Sequence, residues 1–468
     1  MPSKNDSILI VGAGTWGCSI ALELARNGYT NVTVLDGEAV PSSISAGNDL
    51  NKIMEEGSQS EEDTGSAYAW NRLHKLCTTA WLDDPVYKPF YHRTGYVMAA
   101  SSEDAYQALL RDIKGHEDEY QQLTTPEQFR NTMPAGVLTG DFVGWRGFAK
   151  AGGAGWVFAK AAIVAAKQEA ESLGVRFVTG VSGQVEELMF SAGPSLDEMG
   201  SGTVPGRRTF QGAKTADGTV HLPHTAILAN GANADNLIDL KYQLRPTAWT
   251  LAHIKMTPQE ADLYKDLPVL FNIEKGFFME PSGETRELKI CDEHPGYINP
   301  IYEEPVPGRR SIVGSKPFAK QQIPLESEDR VRAFLKETMP HLSERPFSFA
   351  RICWDADTVD RMPLIDWYPT DPDGGSNQSN QGGRGGRLLL AVGGSGHCFK
   401  TMPAMGQVIL EFLEKRVDER TRRAFRWRPE TAQNRNWWDV QDRWGANGKV
   451  MDFNTVKGWT RVGEMGPC

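Results

Sequence analysis

The sequence predicts an α/β fold with a second, α+β part, and three features of the chain predict it. An N-terminal strand, a glycine-rich turn, a helix and a second strand occupy residues 7–36. The same alternation of strands and helices recurs at residues 153–232 and after residue 387. Residues 246–292 instead alternate with a period of two, which is typical of an antiparallel sheet. We therefore expect a Rossmann-like domain of discontinuous segments and a second domain built on an antiparallel sheet.

The N-terminal unit carries the pattern of a nucleotide site. Residues 8–11 form an apolar, β-branched run that is short enough for a buried parallel strand. Gly12, Gly14 and Gly17 follow at G-x-G-x-x-G spacing, which permits a tight turn, close approach of a diphosphate and close packing of helix on strand. The second strand ends at Asp36, whose carboxylate can accept hydrogen bonds from a ribose diol. Together these elements predict an ADP-binding βαβ unit.

Composition excludes several classes of partner. A chain of 468 residues exceeds one ordinary core, so two domains are expected. The net charge of −10 argues against nucleic acid or an anionic membrane, and no long apolar run predicts a membrane span. Six scattered cysteines without a C-x-x-C pair indicate reduced thiols and no metal site. The first residues leave no room for a signal peptide and the terminal G-P-C is not an S-K-L signal, so we expect a cytoplasmic protein, with the peroxisome as the alternative.

The remaining segments are assigned from their periodicity and composition. Helices are expected at 64–83, 153–173 and 403–413, and strands at 175–179, near 185, at 225–229 and at 388–392. A loop or hairpin is expected at 191–219, and residues 371–387 are low in complexity. The nucleotide-binding domain is then residues 1–83, 148–240 and 349–468, and the substrate domain is residues 84–147 and 241–348.

Two features favour FAD over NAD as the ligand of the βαβ unit. No second G-x-G-x-x-G occurs, so nothing marks an NAD site beside the first. The strand, G-G-S-G and helix near residue 394 could place a helix N-terminus against the pyrimidine end of a flavin, where negative charge develops on reduction. The lack of neighbouring cysteines excludes the dithiol flavoprotein reductases.

A set of motifs gives the chain a more specific resemblance. These motifs are V-G-A-G-T-W-G, S-A-G-N-D-L-N-K, L-R-P-T-A-W-T, G-F-F-M-E-P, K-I-C-D-E-H-P-G, F-A-R-I-C-W, S-G-H-C-F-K and N-R-N-W. In this order, from residue 8 to about residue 453, they resemble the fungal fructosyl amino acid oxidases, or amadoriases, which are relatives of monomeric sarcosine oxidase. The resemblance implies oxidation of the secondary amine of a fructosyl amino acid, with O2 as second substrate. Products would be glucosone, the free amino acid and H2O2.

The resemblance also implies how the cofactor is held. FAD would be linked covalently through the sulfur of Cys353, although a cysteine in this setting is by itself more often a buried core thiol. Lys52 matches the family lysine that places a cation near flavin N5, and Lys275 is a second candidate for oxygen activation. The expected FAD contacts are Gly12, Gly14, Thr15, Trp16, Gly17, Asp36, Ser45, Asn48, Lys52, Val185, Gly231, Cys353, Asp357, Gly394, Gly396, Phe399 and Lys400.

Substrate contacts follow from the same resemblance. Glu280 and Arg443 match a carboxylate and an arginine that lie side by side at the mouth of the site, and Asp292 and Lys400 match residues that contact sugar hydroxyls. Alternatively, Asp292 caps a strand, and Lys400 caps a helix or contacts only flavin. The chain lacks the family's frequent peroxisomal signal and carries the extra residues 371–387. We expect a monomer.

Three other functions remain open at this point. The first is an oxidase of another secondary amine, such as an N-methyl amino acid, saccharopine or a biosynthetic intermediate. The second is a nicotinamide-dependent dehydrogenase, and the third is a flavin-binding protein without catalysis. Colour and anaerobic bleaching by amines would distinguish them.

Overall fold

The structure is a computed structural model that describes residues 2–57, 64–191, 209–306, 309–369 and 386–462. Its helices are α1 Thr15–Arg26, α2 Gly65–Asp83, α3 Glu103–Asp112, α4 Pro126–Arg130, α5 Ala159–Ser172, α6 Ala234–Leu237, α7 Pro258–Leu263, α8 Leu325–Thr338, α9 Met402–Leu413 and α10 Glu419–Phe425. Its strands are β1 Ile8–Val11, β2 Val32–Asp36, β3 Asn51–Glu55, β4 Tyr91–His92, β5 Tyr96–Ala100, β6 Gln121–Leu123, β7 Arg146–Lys150, β8 Ala154–Phe158, β9 Arg176–Thr179, β10 Val185–Phe190, β11 Phe210–Thr215, β12 Val220–His221, β13 Thr225–Leu228, β14 Leu244–Lys255, β15 Val269–Asn272, β16 Gly276–Phe278, β17 Glu287–Asp292, β18 Tyr297–Ile298, β19 Pro300–Val306, β20 Arg309–Ser315, β21 Phe347–Thr358, β22 Leu364–Trp367, β23 Arg387–Val392 and β24 Met451–Asp452.

A six-stranded sheet in the order β22-β23-β13-β1-β2-β9 forms the first layer. All its neighbours are parallel except β22 and β23. Its strands bury alternate residues on opposite faces, so that Ile8 and Ile10 pack under α1, α5 and α9. Leu9 and Val11 pack instead towards the small antiparallel sheet β10-β11-β12. Because both faces of this sheet are buried, the sequences of its strands are continuous apolar runs.

A mixed ten-stranded sheet forms the second layer and contains the region of period-two alternation. Its longest pairing joins β14 to β21, antiparallel, with Trp249 opposite Cys353. Strand β14 also pairs with β17, and β15 pairs with β16. The predicted antiparallel sheet is therefore present, and β5, β6 and β7 from the segment before residue 151 extend it.

Some elements differ from the sequence-based expectations. The helix expected over 153–173 begins at Ala159, because residues 154–158 form β8, which pairs with β3 and β4. Residues 210–215, within the stretch expected to be a loop or hairpin, form β11, which pairs antiparallel with β10, as a hairpin would. The long strand β21 pairs with β14 and so lies in the second sheet, and the first sheet resumes at Leu364. Most of the low-complexity stretch 371–387 lies outside the described residues.

The described residues lack two kinds of feature. No helix there is both long and apolar enough to cross a membrane. No cluster of three or more His, Cys, Asp or Glu side chains within those ranges is arranged to hold a metal ion.

Candidate cofactor and substrate site

A cavity of about 550 Å³ lies at the carboxyl ends of the parallel strands. Residues that follow β1, β2, β13 and β23 line it, among them Gly12, Gly37, Asn230 and Gly393. Ligands of open α/β sheets bind at this edge. The topology therefore places the N-terminal glycine motif and the late G-G-S-G turn around one space.

The three motif glycines have different roles. Gly12 has a φ of 103°, and a Cβ there would lie 2.7 Å from the carbonyl oxygen of Ala229, so the turn requires glycine. A Cβ on Gly17 would lie 1.8 Å from the carbonyl oxygen of Gly12, so this glycine serves packing. A Cβ on Gly14 would meet only Ser45 Oγ, at 3.6 Å. The protein itself leaves room at Gly14, as expected where a diphosphate approaches the backbone.

The start of α1 completes an anion site. Gly14 is the N-cap, no side chain caps the helix, and its first turn contains no acidic residue. Thr15 and Trp16 of this turn line the cavity. Free N–H groups and the positive end of a 12-residue helix therefore face the space beside Gly14. These features fit the diphosphate of a dinucleotide.

Asp36 lies at the end of β2, on the cavity wall. Its Oδ2 accepts a hydrogen bond from the backbone N–H of Ala13 at 2.8 Å, and Oδ1 accepts one from Glu38 at 3.1 Å. Burial raises its pKa, although both hydrogen bonds oppose this. Asp36 therefore fixes the glycine turn, and its contact with a ribose stays a prediction.

The structure brings most of the predicted cofactor contacts together. Those that line the first cavity are Gly12, Gly14, Thr15, Trp16, Asp36, Ser45, Lys52, Val185, Gly231, Gly394, Gly396 and Phe399. Gly17, Asn48 and Asp357 do not line it: Gly17 packs against Gly12, the amide of Asn48 donates to the carbonyl oxygen of Ser42 at 3.1 Å, and Asp357 is held by two arginines. Helix α9 starts only at Met402, so the loop before it, rather than the helix N-terminus, forms the wall.

A second cavity of about 260 Å³ adjoins the first. Lys52, Asp355, Gly396 and Phe399 line both, so we call these four residues the junction. Cys353 and Lys400 line only the second cavity. Its walls combine aromatic side chains with charged groups, which suits a small polar substrate.

Lys52 stands at the junction and is held by a buried carboxylate. Its Nζ lies 2.9 Å from Asp49 Oδ2, and Lys289 Nζ donates to the same oxygen at 2.6 Å. Burial alone would lower the pKa of Lys52, but Asp49 outweighs it and holds that pKa above its ordinary value. Because one carboxylate faces two ammonium groups, the cluster carries excess positive charge beside the junction.

Cys353 lies on β21, and Asp355 follows two residues later on the same strand face. Burial raises the pKa of the Cys353 thiol, while the cations of Lys52 and Arg351 oppose the rise. The thiol therefore borders the junction, as a tether to a flavin requires, but the bond itself stays a prediction.

The structure does not contain the predicted pair of Glu280 and Arg443, and the substrate contacts of these two residues stay predictions. Both guanidinium nitrogens of Arg443 donate to Asp357, at 2.6 and 2.7 Å, and Arg443 lines the second cavity. Glu280 lines neither cavity, and its Oε2 accepts the backbone N–H of Asp266 at 3.0 Å. Asp357 satisfies the arginine's planar fork, so the arginine does not need a second carboxylate.

The other two predicted sugar contacts also have internal partners. Asp292 lines the second cavity, but its carboxylate accepts hydrogen bonds from Thr250, Ser327 and Arg330. Lys400 Nζ lies 2.8 Å from Glu55 Oε2. Lys400 has further N–H donors and Asp292 a further lone pair beyond these contacts, so either residue can still bind a sugar hydroxyl, and both roles stay predictions.

Lys275 lies away from the site. Its Nζ donates to Glu337 Oε1 at 2.6 Å, and it lines neither cavity. The ion pair between Lys275 and Glu337 therefore joins the turn before β16 to helix α8.

Five charged residues of the second cavity were missed by the sequence analysis: Asp49, Glu55, Glu293, Asp355 and Arg361. Burial raises the pKa of Glu293 to about 8, so this carboxyl is largely neutral at pH 7. Burial also raises the pKa of Asp355 to about 6, and no described residue donates a hydrogen bond to its side chain. Asp355 therefore faces the junction mainly as a carboxylate that can accept a hydrogen bond from an amine. In the sequence, only the two-residue spacing of Asp355 from Cys353 indicated that Asp355 would lie at the site.

Gly396 lets polar groups converge at the junction. Its φ is 77°, and a Cβ there would lie 3.2 Å from Asp355 Oδ2, 3.4 Å from Arg443 Nη2 and 3.5 Å from Trp249 Nε1. Within the described part of the chain, Trp249 Nε1 is buried without a hydrogen-bond partner. A bound ligand at this point would meet one acid, Asp355, and one unpartnered donor, the indole N–H of Trp249, whereas Nη2 of Arg443 already donates to Asp357 and Ser395.

A cavity that fits a dinucleotide opens into a smaller polar cavity, which is the arrangement of a cofactor-dependent enzyme, and comparison with known proteins gives the class. The family model described as DAO, FAD dependent oxidoreductase, matches residues 7–412. The chain belongs to this family of FAD-dependent oxidoreductases.

Three individual proteins are similar to this chain over nearly its full length. The structure of Amadoriase I from Aspergillus fumigatus, a fructosyl amine: oxygen oxidoreductase, is 47% identical, with a TM-score of 0.88 and 99% of each chain covered. Amadoriase II from the same organism, a fructosamine oxidase, is 45% identical, with a TM-score of 0.85, covering 99% of this chain and 98% of that one. L-saccharopine oxidase of Schizosaccharomyces pombe is 27% identical over 450 residues, which are 92% of this chain and 95% of that protein.

The first prediction concerns Gly14. A valine side chain there would fill the space left for the diphosphate without striking the backbone, so Gly14→Val should fold yet carry little FAD. The ratio of absorbance at the flavin band to that at the protein band measures occupancy, and circular dichroism checks the fold. Gly283→Val is the control, because nothing lies within 4 Å of its Cβ position. Full flavin content in Gly14→Val would show that the diphosphate lies elsewhere.

Proposed function

We propose that the protein is an FAD-dependent oxidase of fructosyl amino acids. The observation that carries the proposal is full-length similarity to two fructosyl amine oxidases at 45–47% identity, combined with a small polar cavity that meets the dinucleotide cavity at the junction. The reaction would oxidise the secondary amine C–N bond to an imine. Water would release glucosone and the free amino acid, and O2 would be reduced to H2O2.

The residues at the junction fit this chemistry. FAD, when bound, supplies the acceptor for the hydride that leaves the substrate carbon. Lys52 places a permanently charged ammonium at the junction, where it stabilises negative charge that develops during electron transfer. Asp49 holds this ammonium in position, and Asp355 faces an incoming amine with an ionised carboxyl.

A panel of amines tests the proposal and its alternative. Anaerobic mixing with fructosyl glycine, sarcosine or L-saccharopine should bleach the flavin with fructosyl glycine only, and aerobic turnover should release H2O2 with the same preference. L-Saccharopine is included because a relative at 27% identity is an oxidase of that compound. Faster bleaching by L-saccharopine than by any fructosyl amino acid would reverse the assignment.

We further propose that FAD is tethered through the sulfur of Cys353, which borders the junction on β21. Acid precipitation should leave the yellow colour in the wild-type pellet, whereas Cys353→Ala should release it to the supernatant. Cys291→Ala is a matched control, because Cys291 is also buried and lines the same cavity. Colour that washes out of the wild-type pellet, or a tether lost only in Cys291→Ala, would exclude Cys353.

Lys52 and Lys275 were both candidates for oxygen activation, but only Lys52 lies at the cavities. Lys52→Met should slow the return of the oxidised flavin spectrum in air by roughly 100-fold, because it removes the charge at the junction. Lys275→Met should leave this rate unchanged, because Lys275 lines neither cavity. Stopped-flow measurement on pre-reduced enzyme separates this step from substrate oxidation. Equal rates in the wild type and Lys52→Met would remove Lys52 from the mechanism.

A further inference from the structure

We propose that Arg351 is a positioning residue for the attachment of FAD, because its guanidinium stabilises the thiolate of Cys353 that forms the tether. This inference rests on the proposed tether and adds the residue that promotes its formation. Arg351 and Cys353 both lie on β21, in the F-A-R-I-C-W motif.

Arg351 and Cys353 share one face of β21. Side chains of a strand alternate between its two faces, so residues two apart lie on the same side. Packing agrees with this alternation, since Phe349 packs against the cluster that contains Cys353, whereas Ile352 and Trp354 belong to another cluster. The side chain of Arg351 therefore leaves the strand on the face that carries the thiol.

The guanidinium of Arg351 is buried without an acidic partner among the described residues. The residue is 4% exposed, Nη1 donates to the carbonyl oxygen of Ser43 at 2.8 Å, and Nη2 donates to that of Ser45 at 2.9 Å. Its Nε is buried and has no hydrogen-bond partner in the described part of the chain. A charge that is taken out of water and held only by neutral acceptors is costly. Its burial therefore favours an anion that forms beside it.

The two carbonyl contacts fix the position of this charge. Both belong to the loop of residues 42–47, most of which lines the first cavity. The carboxylate of Glu38 holds this loop, since it accepts hydrogen bonds from the N–H and the hydroxyl of Ser43 at 2.6 and 3.0 Å. A backbone bridge also joins Ser45 to Trp354. Arg351 thus connects the wall of the cofactor cavity to the strand that carries the thiol.

Several charged or titratable groups surround the Cys353 thiol, from β21, β3, β17 and the loop before β3: Arg351, Asp355, Lys52, Cys291 and Asp49. Burial raises the pKa of this thiol, Lys52 and Arg351 oppose the rise, and the two carboxylates add to it. Lys52 shares Asp49 with Lys289, so a carboxylate partly balances its charge. Within this group of described residues, Arg351 is the cation that pairs with no carboxylate.

A cation beside Cys353 matters for attachment because the thiolate, not the thiol, is the nucleophile. Attachment replaces the S–H bond of Cys353 and one C–H bond of the flavin 8α-methyl group by an S–C bond. The two electrons and two protons that are released pass to the flavin ring and then to O2, which becomes H2O2. Arg351 takes no part in these bond changes, but it raises the ionised fraction of Cys353.

The test follows formation of the tether in time. Full-length protein from riboflavin-depleted cells is mixed with saturating FAD between about pH 6.5 and 9.5, and mass spectrometry of the denatured protein gives the fraction with FAD attached. In Arg351→Gln the rate at pH 7 should fall about tenfold, because glutamine still donates a hydrogen bond but carries no charge. The rate should recover as the pH rises and the thiol ionises. Arg351→Lys should stay within about threefold of the wild type, because it keeps the charge.

A matched arginine controls for the loss of backbone contacts. Arg435 also donates to two backbone carbonyl oxygens, those of Tyr242 and Asp357, at 2.8 and 3.0 Å, and it lines neither cavity. Arg435→Gln should therefore keep the wild-type rate and pH profile. Equal slowing in Arg351→Gln and Arg351→Lys at every pH would leave Arg351 a packing role only. That result, or a wild-type rate in Arg351→Gln, would overturn the inference.

Failure of the proposed tether has a different result. If the wild-type protein attaches no FAD, the tether is wrong, and alkylation by iodoacetamide then tests Arg351 alone, since this reagent also reacts with the thiolate. Peptide mass spectrometry locates the product at Cys353, and Arg351→Gln should react about tenfold more slowly than the wild type at pH 7. Equal alkylation rates in the two proteins would contradict the role of Arg351. Neither measurement requires an amine substrate, so both are independent of which amine the protein oxidises.

Discussion

One buried carboxylate, Asp357, holds together the parts of the chain that form the substrate cavity. It lies on β21, and it accepts hydrogen bonds from Arg245 on β14 and from Arg443 in the C-terminal segment. Arg245 is itself fully buried and donates to the carbonyl oxygens of Trp437 and Asp439. Removal of such a carboxylate would leave two buried guanidinium groups uncompensated, which is strongly destabilising. The sheet, the C-terminal segment and the cavity wall thus depend on the same side chain.

Asp49 repeats this arrangement on the other side of the junction. Each of the two carboxylates is buried and faces two cations, so each cluster keeps a net positive charge. Glu293, which could have balanced them, is largely neutral because burial raises its pKa to about 8. The two clusters therefore favour anionic groups beside them, whereas the ionised carboxyl of Asp355 at the junction favours a cationic group.

Much of the fold could be predicted from local sequence. The first βαβ unit has strong local signals, and β1 and α1 lie where the glycine spacing and the apolar runs placed them. Residues 154–158 were assigned to a helix because the alanines that follow dominate the pattern, whereas β8 is stabilised by pairing with distant strands. Pairing of that kind is not visible in one segment.

The positions of site residues could be predicted only where those residues belong to a recognisable motif. The glycines and Lys52 lie in motifs with a defined geometry, and the structure places them on the cavities. Lys275 and Glu280 lie elsewhere, because resemblance identifies a residue but not the rotamer or the partner that it selects.

The positions of two tryptophans have a practical consequence. Trp16 and Trp354 both line the cavity assigned to FAD. Indole emission overlaps the absorption of a flavin, so an occupied cavity would draw excitation energy from these rings. The protein thus contains its own optical reporter, and the intensity of its ultraviolet fluorescence distinguishes loaded from empty molecules without any added label.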